Sequence, residues 1–423
     1  LEHLVESEQS EFRTLDVGNG YFYSFSNGIY NIRDDLFFAY SERAQWEDYA
    51  QRVCAARGKE EYVIPTEDTV AVNYFPISFR CEITPETAET PVEIDPMDLA
   101  TPAFDKILDV QHFDRETKRM CFALIGRLFF LINQFDRWSR ALFIIGAGGT
   151  GKSTIANWVM YAIPSHFHSI VNSNFEEQFG LSGITSDQSR VCLCTELTED
   201  LKFKQEEWQI CVEGGKLQVA HKNQTSRPHT FRQHMLMVGN QFPRRWKNNA
   251  KQITRRIVLF EFKYLVPKNQ LQGDLVDELA AETDVILRKC TLLYMRLANE
   301  HGQSDLQAPG ILPAQVVQFM SHLEQSMDPL TAFLNSDVFV MADYGYIALN
   351  DLKKEYMEFR RSNGHPTVAW TRDHYDSTLR AFSLEIQKLA LPYPTPADPP
   401  KLQDYVYGIM LASADEGSAE DAL

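Results

Sequence analysis

The residues with the most specific chemistry lie together before the middle of the chain. The run GAGGTGKS at residues 146–153, which we call the glycine loop, fits the pattern G-x-x-x-x-G-K-[ST]. In such a loop backbone N–H groups converge on phosphate oxygens, the lysine reaches the β- and γ-phosphates, and the hydroxyl binds Mg²⁺. The sequence therefore predicts a nucleoside-triphosphate site. The residues predicted to hold the nucleotide are Gly146, Gly148, Gly149, Thr150, Gly151, Lys152, Ser153 and Thr154.

The segments on either side of the glycine loop have the patterns that such a site needs. Four apolar residues, Leu142 to Ile145, predict a short buried strand, and the chain from Lys152 to Ile163 has a helical pattern. The loop is thus expected between a strand and the N-terminus of a helix, where the helix dipole favours an anion. A chance glycine loop is the alternative, and the correct strand, loop and helix together disfavour it.

Two later strand ends carry polar groups suited to hydrolysis. The apolar segment 190–196 ends in Glu196, a carboxylate that could bind Mg²⁺ or polarise the attacking water, although Thr195 replaces the first acid of the usual pair. A third buried segment, 235–238, is followed by Gly239 and then Asn240, whose amide could orient a lytic water. The alternatives are a surface glutamate and an ordinary turn asparagine.

Positive charge is concentrated in one segment of an acidic chain. The net charge is −17, yet residues 214–260 contain ten Lys or Arg, three His and no Asp or Glu. Alternating polarity from Lys216 onward predicts a β-hairpin with His221 and Lys222 near its tip, flanked by Lys216 and Arg227. These four side chains are predicted to contact DNA backbone phosphates, and a solvated basic face is the alternative.

Two arginines stand at the head of another apolar strand. Arg255 and Arg256 precede the segment Ile257 to Phe262. A guanidinium can stabilise a transferring phosphoryl group and can be supplied by an adjacent subunit. A surface pair or a DNA contact is the alternative.

Bulk properties limit the class of protein. With 423 residues, two to four domains are expected. We find no secretory signal and no apolar run near the ~20 residues that span a bilayer, so no membrane partner is expected. Seven scattered cysteines predict reduced, mostly buried thiols of an intracellular protein. Because the chain begins with Leu1 rather than Met, we expect a piece of a longer protein.

The remaining patterns divide the chain into six parts. Helices are predicted over Leu275 to Asn299, Asp351 to Ser362 and Thr371 to Leu389, and a strand over Tyr405 to Leu411. The expected parts are an N-terminal β-rich module and linker (1–100), a helical collar or oligomerisation segment (101–140), a nucleotide-binding α/β core (141–265), a helical lid or connector (266–330), a winged-helix-like domain (331–411) and an acidic disordered tail (412–423). The helical segment before the core could instead only cover the sheet.

The order of these motifs resembles that of a known family. The pieces are FSNGIYN, TPAFDKIL, FALIGRLFF, the glycine loop, the strand to Glu196, EGGKLQVAHK, VGN, RRIVLFEF, ELAAETDVIL and ALNDLKKEYMEFRRSNG. Together they resemble the superfamily 3 helicases within the AAA+ ATPases. The nearer likeness is to the helicase half of poxvirus-type primase-helicases of large DNA viruses, virophages and phage or plasmid replicons.

This resemblance implies an α/β fold with an AAA+ P-loop ATPase core, and a hexameric ring that uses ATP and Mg²⁺ to unwind DNA. It assigns Glu196 as the Walker B acid, Asn240 as sensor 1, His221 with Lys222 as the pore hairpin, and Arg255 or Arg256 as the arginine finger. Single-stranded DNA and forked duplex are the implied substrates. An upstream primase domain and other replication proteins are the implied partners, in the host cytoplasm (a virus factory) or the nucleus.

Two other classes of protein are weighed against this motor. A nucleotide-gated DNA-binding switch or regulator would hydrolyse ATP slowly and unwind nothing, with the C-terminal domain as its reader. A metabolic P-loop kinase would explain neither the basic hairpin nor the C-terminal domain. The acid-free basic segment favours the motor.

Overall fold

The structure is a computed structural model, and it forms two compact units. It describes residues 21–58, 64–65, 71, 73–80, 94–170, 189–197, 204–220, 225–243, 246, 252–267, 274–336, 338–363, 370–392 and 399–411. The first unit comprises Leu1–Pro243 with Arg256–Val317, and the second comprises Arg244–Arg255 with Gln318–Leu423.

The described residues form fourteen strands and eleven α-helices. The strands are β1 (Phe22–Phe25), β2 (Gly28–Asn31), β3 (Leu36–Ala39), β4 (Asn73–Phe75), β5 (Ala141–Gly146), β6 (His168–Ile170), β7 (Val191–Leu197), β8 (Lys216–Val219), β9 (Arg227–Thr230), β10 (His234–Gly239), β11 (Ile257–Phe262), β12 (Phe339–Ala348), β13 (Glu385–Pro392) and β14 (Pro400–Leu411). The α-helices are α1 (Trp46–Ala56), α2 (Pro102–Val110), α3 (Arg115–Arg127), α4 (Lys152–Ala162), α5 (Gln205–Val212), α6 (Asp274–Ala281), α7 (Thr283–His301), α8 (Ala314–Met327), α9 (Pro329–Leu334), α10 (Leu349–Ser362) and α11 (Arg372–Ala381). Short 3₁₀ helices occupy Tyr40–Gln45, Pro96–Asp98, Ser165–Phe167 and Thr254–Arg256.

A five-stranded parallel sheet is the centre of the first unit. Its strand order is β11-β5-β10-β7-β6, and all of its pairings are parallel. The strands are buried and lack polar alternation, as expected for a sheet covered on both faces. The α/β class predicted from the sequence is confirmed, with the parallel sheet of a nucleotide-binding type of core.

The helices before the sheet pack closely against α7. A Cβ atom on Gly126 of α3 would lie 2.0 Å from the Cys290 carbonyl oxygen of α7, so only glycine fits there. Arg127, at the end of α3, forms a buried ion pair with Asp136, and Tyr294 of α7 donates a hydrogen bond to the same carboxylate at 2.7 Å. This cluster joins both helices to the segment that enters β5.

A second sheet lies near the N-terminus, in the order β3-β2-β1-β4. Within the N-terminal module, for which the sequence predicts β structure, β1 and β2 pair antiparallel as a hairpin, with Phe25 opposite Gly28. A Cβ on Gly28 would lie 2.4 Å from the Phe38 carbonyl oxygen, so the glycine serves the close approach of β2 to β3. Ion pairs from Arg288 to Asp35 and from Arg80 to Asp284, both at 2.8 Å, attach this module to α7.

The predicted helix Leu275 to Asn299 is two helices in the structure. α6 ends at Ala281, and α7 begins at Thr283. Glu282 lies at the break, and its carboxylate accepts hydrogen bonds from the Ala103 N–H at 3.0 and 3.1 Å. The single-helix prediction was wrong because this tertiary contact, at the start of α2, is invisible in the periodicity.

The second unit contains an antiparallel sheet in the order β12-β14-β13, with α10 and α11. The predicted helix Asp351 to Ser362 is confirmed as α10. The predicted helix Thr371 to Leu389 is wrong in its second half, because α11 ends at Ala381 and β13 begins at Glu385. Ser383 has φ 59°, a left-handed conformation that stops the helix, and pairing with β14 then favours an extended chain.

The remaining fold predictions concern thiols, membrane spans and the chain ends. Among the described residues six cysteines are free and buried, whereas Cys81 lies outside the described ranges. No helix in the described part of the chain is long and apolar enough to cross a membrane. Most of the predicted linker before α2 and the predicted acidic tail, 412–423, also lie outside the described residues.

Candidate nucleotide-binding site

The glycine loop connects β5 to α4, and its glycines are required by the backbone. Gly149 and Gly151 have φ angles of 79° and 94°, in the left-handed region that other residues rarely adopt. Gly146 has φ 151°, and a Cβ there would lie 1.9 Å from the Phe262 carbonyl oxygen of β11. The loop therefore turns sharply between a buried strand and a helix N-terminus.

Lys152 is folded back onto this loop. Its side chain is only 4% exposed, and Nζ donates to the Ala147 carbonyl oxygen at 2.6 Å and to Thr150 Oγ1 at 3.3 Å. Burial lowers the pKa of Lys152. The ammonium contacts neutral oxygens, so an anion bound at the loop would offset its desolvation.

The loop faces a cavity of about 180 Å³. Helix α4 begins at Lys152 with no side-chain cap at Gly151, so its first N–H groups are open to a ligand. The lining residues are Lys106, Ile107, Gly148, Gly149, Thr150, Gly151, Lys152, Ser153, Thr154, Asn240, Val266 and Leu275. The structure thus brings together seven of the eight predicted nucleotide-binding residues with Asn240, while Gly146 stands where β5 enters the loop.

The two other predicted strand ends lie at the same edge of the sheet. Gly239 is paired with Ile145 of β5 and with Leu197 of β7, so it lies level with the ends of both strands. Asn240 is the next residue in the chain. A Cβ on Gly239 would lie 2.2 Å from the Leu197 carbonyl oxygen, which shows how closely these strand ends approach. Glu196 is exposed at this edge, outside the set of residues that line the cavity.

The two candidate arginines have different environments. Arg256 is 7% exposed, and its Nε and Nη2 donate to Glu213 Oε1 at 2.9 and 2.6 Å. Arg255 is exposed. Of the two, only Arg255 is presented at the surface of the chain.

The predicted basic hairpin is a two-stranded antiparallel sheet of β8 and β9. Lys216 is paired with Thr230, and Val219 with Arg227. The side chains of Lys216 and Arg227 are exposed. His221 and Lys222, predicted for the tip, lie outside the described residues.

Sequence reasoning missed one wall of the cavity. Lys106 and Ile107 on α2 face the loop, and a Cβ on Gly151 would lie 2.8 Å from Ile107 Cγ2. Val266 and Leu275 add further apolar surface. The sequence predicts a helical segment at 101–140, but no signal in it indicates that Ile107 packs against the glycine loop.

The parallel five-stranded sheet is that of a nucleotide-binding type of α/β core, and comparisons with known proteins assign no family to the chain. No protein-family model and no curated protein matches the chain. It is similar to the A-form apo structure of the NrS-1 C-terminal region, with 12% identity over 92% of this chain and 96% of that chain, and a TM-score of 0.45. An apo structure of the same region (305–718) has 12% identity, the same coverage and a TM-score of 0.41. These values support no conclusion about function.

Proposed function

We propose that this chain is the ATPase motor of a ring-shaped replicative DNA helicase of the AAA+ superfamily 3 type. The observation that carries the proposal is the cavity in which Lys152, the open start of α4 and Asn240 converge at one edge of a parallel sheet. Ligands of open α/β sheets bind at this carboxyl edge. The positive φ angles of the loop and the partly desolvated ammonium are consistent with a triphosphate.

The residues at this edge of the sheet would share the tasks of ATP hydrolysis. Lys152 neutralises the β- and γ-phosphates, and the loop N–H groups fix them in place. Asn240 has both a donor and an acceptor, so it can orient the attacking water, while Glu196 withdraws its proton.

The donor set also fits Mg²⁺, which prefers hydroxyl and carboxylate oxygens. Ser153 is exposed within the cavity lining, and Glu196 is exposed at the same edge of the sheet. These two residues would hold the ion, which supplies charge neutralisation to the phosphates when bound.

The DNA-binding part of the proposal rests on charge. The strands of the basic hairpin expose Lys216 and Arg227 within a segment that carries no acidic residue between positions 214 and 260. Such side chains bind the phosphates of single-stranded DNA without reading sequence. In a homohexamer the hairpins would line the central channel, and a primase and other replication proteins would act on the same intracellular fork.

The test is to measure ATP hydrolysis and strand displacement on a forked duplex for the wild type and for Lys152→Ala. We expect the wild type to do both and the variant to do neither, because the phosphates lose their cation. Lys204→Ala, which removes an exposed lysine, is the matched control and should behave as wild type. Slow wild-type hydrolysis without displacement would support the nucleotide-gated switch, and normal hydrolysis by Lys152→Ala would exclude the proposed site.

A further inference from the structure

The turn between α2 and α3 contacts the glycine loop through one buried side chain. Gln111 is 4% exposed, and its Nε2 donates to the Thr150 carbonyl oxygen at 3.1 Å and to the Tyr264 carbonyl oxygen at 2.7 Å. Its Oε1 accepts from the Tyr264 N–H at 2.9 Å. Both donor hydrogens and the acceptor of the amide are therefore used, on two segments far apart in the chain.

Those two segments also contact each other. The Val266 N–H donates to the Gly149 carbonyl oxygen at 2.9 Å, and Val266 lines the cavity. The ring of His112 lies edge-on to that of Tyr264, with centroids 4.5 Å apart. The glycine loop is thus held between α4 and a clamp formed by Gln111 with residues 264–266.

We propose that Gln111 is a positioning residue that holds the glycine loop in its nucleotide-receiving conformation, an inference that rests on the proposed ATP site. A loop with two left-handed glycines can adopt many alternative conformations. If the free loop samples them, part of the binding free energy of the nucleotide is used to order the loop. Gln111 restricts Thr150, the residue between those glycines, before the nucleotide arrives. Gln111 is not among the residues that line the cavity, so it acts on a bound nucleotide only through the loop.

This role predicts a specific kinetic signature. Gln111→Met preserves the size of the side chain but removes all three hydrogen bonds. The nucleotide must then order the loop itself, at equal cost in the ground state and the transition state, which raises KM and leaves kcat unchanged. We expect the KM and the Kd for ATP to rise about tenfold and kcat to stay within about twofold.

Gln315 of α8 offers a matched control, because its side chain contacts the same turn between α2 and α3. Its Nε2 donates to the His112 carbonyl oxygen at 3.1 Å, and its Oε1 accepts from the Asp114 N–H at 3.0 Å. Gln315→Met therefore removes hydrogen bonds from this turn without removing any from the glycine loop. We expect its KM for ATP to stay within about twofold of the wild type.

The experiment measures KM, kcat, the Kd for ATP and Tm for the wild type and both variants. If Gln111→Met does not fold, Gln111→Asn replaces it; this variant keeps the amide but is too short for both partners, and should raise KM by a smaller factor. A lowered Tm with an unchanged KM would overturn the proposal, as would an equal rise in KM for Gln315→Met. If the wild type neither binds nor hydrolyses ATP, the proposed function is wrong as well. If the wild type does both, the variants test only the role of Gln111.

Discussion

At the scale of single residues, some glycines are required by the fold, whereas others leave room for the proposed ligand. Gly239 has no room for a side chain, because a Cβ would lie 2.2 Å from the Leu197 carbonyl oxygen. A Cβ on Gly148 would meet nothing within 4 Å, although Gly148 lines the cavity. The first glycine therefore serves the packing of strands, and in the proposed ATP site the second would keep space open for the nucleotide.

We expect Gly239→Ala and Gly148→Ala to differ accordingly. Gly239→Ala should lower the free energy of unfolding by roughly 1–3 kcal/mol, because β7 and β10 must move apart. Gly148→Ala should change it by less than about 0.5 kcal/mol yet weaken ATP binding, because its methyl group enters the cavity. Denaturant unfolding and titration with ATP measure the two effects. Equal stability of the two variants would contradict this division.

At the scale of secondary-structure elements, local signals predicted the strand and the helix around the glycine loop, whereas tertiary contacts were not predicted. The strand, loop and helix around Lys152 agree with the sequence pattern, because glycine geometry and apolar runs are local properties. Glu282 and Ser383 interrupt two predicted helices through a contact and a backbone angle that periodicity does not encode. Gln111 escaped notice for the same reason, since its partners lie about 40 and 150 residues away.

The buried cluster of Arg127, Asp136 and Tyr294 holds the segment that leads into β5, the strand before the glycine loop. Arg127 also donates to the Arg140 carbonyl oxygen at 2.7 Å, immediately before β5. Burial acts to raise the pKa of Asp136, but the charge of Arg127 and the hydrogen bonds from Arg127 and Tyr294 together lower it. Asp136 therefore stabilises the fold in its ionised form, and β5 begins at a fixed position beneath the glycine loop.

We expect Asp136→Asn to lower the free energy of unfolding by about 3–5 kcal/mol at pH 7, because Arg127 is left buried without its counter-ion. Because the folded pKa lies below the ordinary value of 3.8, this contribution is present above pH 3.8 and is lost as the pH falls through the lowered value. Denaturant unfolding of wild type and variant between pH 7 and pH 3 measures the difference.

Tyr294→Phe provides the control for this cluster. It removes one hydrogen bond to the same carboxylate and keeps the ion pair, so we expect a loss of about 1 kcal/mol. A loss for Asp136→Asn no larger than that for Tyr294→Phe would show that the ion pair does not stabilise the fold.

At the scale of the whole molecule, the exposed Arg255 bears on assembly. Arg256 is engaged within its own chain by Glu213, so in the proposed ring Arg255 would be the arginine available to a neighbouring subunit. In the proposed ring, each ATP site is completed by the next protomer. An arginine finger supplied in this way contributes about 10³–10⁵ in kcat. A defect in one protomer should then appear in the ATP site of another.

We expect Arg255→Ala to fold with wild-type stability, because the side chain is exposed, and to lose about 10³-fold or more in kcat as a homogeneous protein. In mixtures with wild-type protein, the loss of ATP hydrolysis should exceed the fraction of variant subunits. Each variant subunit leaves the ATP site of its neighbour incomplete, and one incomplete site stalls a motor that depends on all of its sites. Arg256→Ala, which breaks the internal ion pair, should instead lower Tm and reduce activity in proportion to its fraction. A site shared between subunits would be contradicted if the loss of activity were strictly proportional to the fraction of Arg255→Ala. It would also be contradicted if mass measurement with both ATP and single-stranded DNA detected only the monomer.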